Sequence, residues 1–92
     1  MKTKNAVFEM VAGDIVARAE RWNEGGKKSS KGDKKMLECY RNDRKDLKAV
    51  ARLVARGKLR EARDAAAELD TIVRDELPDT FFTVLKTNGV QW

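Results

Sequence analysis

DKKMLECYRNDRKDLKAVARLVARGKL, residues 33–59, is the stretch whose reading decides the fold. Asp33 suits a helix N-cap, because its carboxylate can accept from the unpaired N–H groups of a first turn. Gly57 suits a helix stop, because glycine enters the left-handed region at no steric cost. Between them, at about 100° per residue, Met36, Tyr40, Leu47, Val50, Ala51 and Val54 share one broad face. By the same rotation Lys34, Arg41, Lys45, Lys48, Arg52 and Arg56 fall within an arc of about 80° on the opposite side. The segment therefore predicts a helix over 34–56 with an apolar face and a six-cation ridge. Two residues break the separation. Asp43 points toward the apolar side, so it is expected at the core boundary or paired with a cation. Leu53 points away, which asks for a second contact surface or leaves an exposed anchor.

Outward toward the C-terminus, the Gly57-Lys58 link is short enough to make the next helix an antiparallel neighbour. Leu59, Ala62, Ala66, Leu69, Val73 and Leu77 form the apolar face of a helix expected over 59–77, supported by Ala65 and Ile72. Ala65 to Ala67 favour helix and allow close approach of a neighbour. Pro78 ends it, since the residue before proline disfavours helical geometry. Beyond lie Phe81, Phe82, Val84 and Leu85, followed by Asn88-Gly89. They admit a short helix capped by Asp79 or Thr80 and closed by Gly89, with Val90 packing back. They also admit a small hairpin around Asn88-Gly89, whose second strand of three residues would be marginal. The helix is the preferred reading, and the aromatic tail is expected to cover an open end of the bundle.

Outward toward the N-terminus, Phe8, Val11, Ile15, Ala19 and Trp22 recur at three- and four-residue steps, with Val7 and Met10 widening the stripe. A core helix over 5–22 follows. Gly13 inside it costs about 1 kcal/mol relative to alanine, which suggests a close helix contact or a bend. Residues 23–33 contain three glycines and no apolar side chain, so a mobile exposed loop carrying Lys27, Lys28 and Lys31 is expected. Its Gly-Gly-Lys-Lys-Ser-Ser run lacks the glycine spacing and the preceding strand of a phosphate loop, and no nucleotide site is assigned to it. The expected architecture is all-α: one domain over 1–92, a small bundle of three long helices in which the second and third form an antiparallel hairpin, and a short C-terminal helix or hairpin.

Charge is segregated along these elements. Residues 27–63 hold fourteen basic and five acidic side chains, whereas residues 64–92 hold two basic and six acidic ones. A net +5 over 92 residues thus conceals a strongly basic middle and an acidic C-terminal third.

Absent residue types bound the chemistry. There is no histidine, so imidazole metal ligands and histidine-dependent nucleophilic catalysis are excluded. The single cysteine, Cys39, allows neither an intramolecular disulfide nor a multi-cysteine zinc site. It lies beside the apolar face and reads as a buried structural thiol. Glu61, Asp64 and Glu68 share a helical face but read as solvated surface and not as a metal site. No catalytic residue, metal or cofactor is assigned, and the chain is expected not to be an enzyme. No apolar run approaches the ~20 residues of a membrane span. Met1-Lys2-Thr3-Lys4 leads into no signal-type apolar stretch, so a cytoplasmic location without membrane attachment is expected.

What remains is binding. The expected interface comprises Lys27, Lys28, Lys31, Lys34, Arg41, Lys45, Lys48, Arg52 and Arg56. Cations spaced along a rigid element can neutralise phosphates and release condensed counterions, so the expected partner is nucleic acid or a nucleic-acid-processing protein complex. No zinc pair, aromatic RNA-binding signature or helix-turn-helix accompanies the ridge, which favours sequence-independent backbone contact. The alternative is a protein inhibitor or adaptor, of the kind phages use against host machinery or defences, gripping its target by charge complementarity with Leu53, Phe82 or Trp92 as anchors. The plainest alternative is a solvated helix face. Homodimerisation is a further expectation, because short helices leave limited core.

Overall fold

The computed structural model describes residues 5–92, so the expectation drawn from the Met1–Lys4 start lies outside the described residues. Five helices follow in order: α1 Ala6–Ser29, α2 Lys34–Ala55, α3 Leu59–Ala67, α4 Thr71–Arg74 and α5 Asp79–Thr87. No strand occurs among the described residues, and the all-α class holds. Among the described residues no helix is long and apolar enough to cross a membrane.

α1 begins where the Asn5 side chain accepts from the N–H groups of Val7 and Phe8, at 3.0 and 3.2 Å. It does not stop at residue 22. It runs to Ser29, and the loop expected over 23–33 shrinks to a tight turn at 30–33. Composition misled here because one of the two glycines, Gly26, has a reason of packing, whereas Gly25 is exposed and meets nothing. Gly26 is buried under the Tyr40 ring of α2, and Asn23 is 3% exposed against the same helix. Lys27 and Lys28 stand in the last turn, where cations complement the helix dipole. Gly13, by contrast, is exposed and meets nothing, so neither a close contact nor a packing role explains it. Val7 and Met10 also lie outside the core, at 53% and 55% exposure.

α2 matches the sequence reading closely. Asp33 accepts from the Met36 N–H at 3.1 Å. At the other end Gly57, at φ +76°, closes a Schellman turn, with Gly57 N–H bonded to Val54 O and Lys58 N–H to Leu53 O. The buried residues of α2 are Leu47, Val50, Ala51 and Val54, all in its C-terminal half. Met36 is exposed, Tyr40 half-buried, and Cys39 exposed, which corrects its assignment as a buried thiol. Leu53 is half-buried against the core and serves as the second contact surface, not as an exposed anchor.

The helix expected over 59–77 breaks at 68–70. The break lets Leu69, Val73 and Leu77 all turn inward, while Ile72 is left 67% exposed. Arg74 stabilises the interruption by donating from Nη2 to Ala67 O and Leu69 O, at 2.8 and 3.0 Å, which satisfies carbonyls orphaned at the end of α3. Its guanidinium also sits 5.8 Å from the centre of the Trp92 ring.

The tail is the short helix and not the hairpin. Pro78 occupies the N-cap position of α5 without a side-chain cap bond. Thr80, instead of capping, donates to Asp14 of α1 at 3.0 Å. Gly89 at φ +74° closes a second Schellman turn, with Val90 N–H on Leu85 O and Val90 buried. Phe81 is fully buried and meets Phe82 and Trp92 edge-on.

These contacts divide the molecule unevenly. A core of Val11 and Ile15 from α1, Leu47, Val50 and Val54 from α2, Leu59 and Ala62 from α3, Val73 from α4, and Phe81 and Leu85 from α5 gathers all five helices at one end. The second half of α1 and the first half of α2 project from it as a two-helix arm. The dominant antiparallel pair is therefore α1 with α2, and the α2–α3 pairing is the smaller one. The reason is length: α3 has nine residues, against 24 and 22 for α1 and α2.

Candidate cationic interface

The arm is held by a polar and aromatic lock. The Trp22 indole N–H donates to Asp43 at 3.0 Å, and its ring meets Tyr40 with centroids 5.2 Å apart. Asp43 thus sits at the boundary, as its register required, but its partner is an indole and not a cation. With α2 docked this way, the side of its helix opposite the core faces solvent for its whole length.

Five of the six ridge residues are exposed: Lys34, Arg41, Lys45, Arg52 and Arg56. None of the five has a carboxylate within ion-pair distance among the described residues. Lys34 and Arg56 are separated by roughly 33 Å along the helix at 1.5 Å per residue. The sixth, Lys48, is turned aside. Its ammonium lies 2.6 Å from Glu20 Oε1, and Arg44 approaches Oε2 of the same carboxylate at 3.4 Å. The hydrogen bond from Lys48, with the charges of Lys48 and Arg44 behind it, holds the Glu20 carboxyl below its ordinary pKa. Lys48 therefore ties α2 to α1 and leaves the free ridge.

The three lysines expected on a loop stand elsewhere than supposed. Lys27 and Lys28 are exposed on the last turn of α1, Lys27 pairing with Glu24 at 3.4 Å, and Lys31 is exposed in the turn. Lys27 and Lys31 face Arg41 and Arg44 across a recess of about 420 Å³ between the ends of α1 and α2. Lys28 is not among its lining residues, and neither is Lys34. Sequence reasoning missed two members of this constellation. Arg44 lies about 40° outside the ridge arc by helix rotation, and Asn23 was assigned to a loop. An i, i+3 pair with Arg41 was the only available signal for Arg44, and the side of α2 facing α1 could not be told without the pairing.

Among the described residues no group of three acidic or thiol side chains is placed to hold a metal ion. Glu61 and Asp64 instead approach Lys58 and Arg63. A second concavity of about 300 Å³ opens between α1 and α5, walled by Val7, Met10, Val11, Val84 and Thr87. Comparison with known protein families, curated proteins and solved structures yields no match.

Proposed function

We propose that this protein is a non-enzymatic binding protein that contacts nucleic acid, or a complex handling it, through the α2 ridge. The observation that carries this reading is the row of five exposed, carboxylate-free cations on one continuous helix. A row carried on one helix loses little backbone freedom on meeting a polyanion, and each phosphate it neutralises releases counterions. Backbone phosphates are the main contact, and no aromatic side chain stands on the ridge to stack on a base; Arg41, Arg52 and Arg56 can also reach base edges, since guanidinium pairs bidentately with guanine. Five phosphate contacts give a slope of log affinity against log salt of about −4.5 on duplex DNA.

The test measures binding to mixed-sequence duplex and single-stranded DNA and RNA at two salt concentrations. The triple reversal Lys45→Glu, Arg52→Glu, Arg56→Glu is expected to abolish binding at the higher salt. Unchanged affinity of that variant for every nucleic acid sinks the reading. The inhibitor or adaptor reading has one observation of its own, the apolar concavity with Val7 and Met10 about half exposed at its rim. It is favoured if a single protein partner is retained by the ridge variant and lost on Met10→Asp.

A further inference from the structure

The recess at the tip of the arm has a composition that the ridge does not explain. Lys27, Lys31, Arg41 and Arg44 line it together with Asn23 and Leu37, and no acidic residue is among its lining. Glu24 and Glu20 each engage one of the four cations from outside, Lys27 and Arg44 respectively, at 3.4 Å. Lys31 and Arg41 have no carboxylate within ion-pair distance among the described residues. The recess therefore retains an uncompensated positive field.

Asn23 supplies an independent pointer. It is the one buried polar residue among those described, at 3% exposure. Its side-chain amide makes no hydrogen bond to any described residue. Buried amides are ordinarily satisfied, because an unpaired one costs roughly 1–3 kcal/mol. Here neither nitrogen nor oxygen is sealed from solvent, so the amide group borders the recess. An amide donor, two free cations and two half-compensated ones line one space. That donor set matches a tetrahedral oxyanion bearing two negative charges.

We propose that this recess binds a phosphate group, with the Asn23 amide donating to one oxygen and Lys31 and Arg41 supplying the charge. The proposal deepens the ridge reading at one end of α2, and rests on it only for the origin of the phosphate. The volume, about 420 Å³, exceeds that of a lone phosphate and leaves room for an attached sugar beside Leu37.

The experiment is a titration of the folded protein with sodium phosphate against sodium chloride at matched ionic strength, followed by NMR at the Asn23 side-chain amide. Saturable movement of that resonance with phosphate, and none with chloride, is the expected result. Lys31→Gln and Arg41→Gln, both exposed and expected to fold normally, should each weaken phosphate binding roughly tenfold. Arg52→Gln and Arg56→Gln should leave it unchanged. Oligonucleotides with and without a 5′-phosphate identify the source: dependence on the terminal group assigns a monoester, and equal response assigns a backbone diester. Phosphate acting no differently from chloride overturns the proposal, as does an equal response along Lys45, Arg52 and Arg56. The two readings separate cleanly. Duplex binding with a silent Asn23 removes the recess and keeps the ridge, whereas phosphate binding without nucleic-acid binding does the reverse.

Discussion

Gly25 and Gly26 are adjacent in the same helix, yet alanine at each should change stability in opposite directions. A Cβ at Gly25 meets nothing within 4 Å, so Gly25→Ala only removes the backbone entropy that glycine loses in a helix. That is worth about 0.5–1 kcal/mol of added stability. A Cβ at Gly26 collides with Tyr40 at Cγ, Cδ1 and Cδ2, the ring atoms nearest the α2 backbone. Rotating the ring cannot clear it, because Cγ lies on the rotation axis. Either Tyr40 leaves its contact with Trp22 or α2 shifts away from α1. Overpacking of this kind costs about 1–3 kcal/mol, and the collision here belongs at the upper end. After the propensity gain, Gly26→Ala should lose about 2 kcal/mol, placing the two variants about 3 kcal/mol apart. Urea unfolding followed by circular dichroism reads this as a midpoint difference of roughly 1.5 M if the slope is about 2 kcal/mol/M. A double-mutant cycle sharpens the test: in a Tyr40→Ala background, Gly26→Ala should become neutral or stabilising. Equal stability of the two single variants would refute the helical continuation of α1 past Trp22, and with it the arm.

Three further outcomes follow from other parts of the molecule. The Glu20 carboxyl is held below its ordinary pKa chiefly by Lys48, so its stabilising effect is present above the ordinary carboxylate range and disappears as pH falls through the lowered value. The stability difference between wild type and Glu20→Gln, measured by denaturant titration, should accordingly be largest near neutrality and vanish in acid; it should also shrink in high salt. Arg74→Met removes the Nη2 donor shared by Ala67 O and Leu69 O, and should cost about 2 kcal/mol in the same unfolding assay, most of the worth of hydrogen bonds to a charged donor. Cys39 is exposed, so an aromatic disulfide reagent should titrate one thiol in the folded protein at a rate that denaturant leaves nearly unchanged; a protected thiol would contradict its position on α2.

The parts legible in the sequence are those set by local rules. Asp33 and Gly57 bracket α2 because capping and left-handed closure depend on neighbours within four residues, and Gly89 closes α5 by the same geometry. What was illegible depended on distant partners. The glycine-rich stretch after Trp22 looks like a loop to any local rule, and only Tyr40 arriving from α2 explains a buried Gly26 there. The break after Ala67 has no glycine or proline to announce it; Arg74 stabilises it from seven residues away. The ridge was legible as a face, since rotation alone defines it, but Lys48 could not be separated from its neighbours without knowing that Glu20 would stand opposite.

The arm and its charge are linked by a physical requirement. The first half of α2 buries no residue, so a ridge extending to Lys34 would stand on a fraying helix unless something else held that half in place. Trp22, Asp43, Tyr40 and Gly26 provide that hold with one hydrogen bond, one ring contact and one close approach, none of which needs a continuous apolar core. Cations could then be placed along the remaining surface without competing for core positions. The same docking brings the end of α1 against the first turns of α2, which is what gathers Lys27 and Lys31 with Arg41 and Arg44 around Asn23. If the lock were loosened by Gly26→Ala, the recess should therefore fail before the distal ridge does. Phosphate response at Asn23 should be lost in a protein that still binds polyanions through Lys45, Arg52 and Arg56. Loss of both together would mean that the arm and the core unfold as one unit.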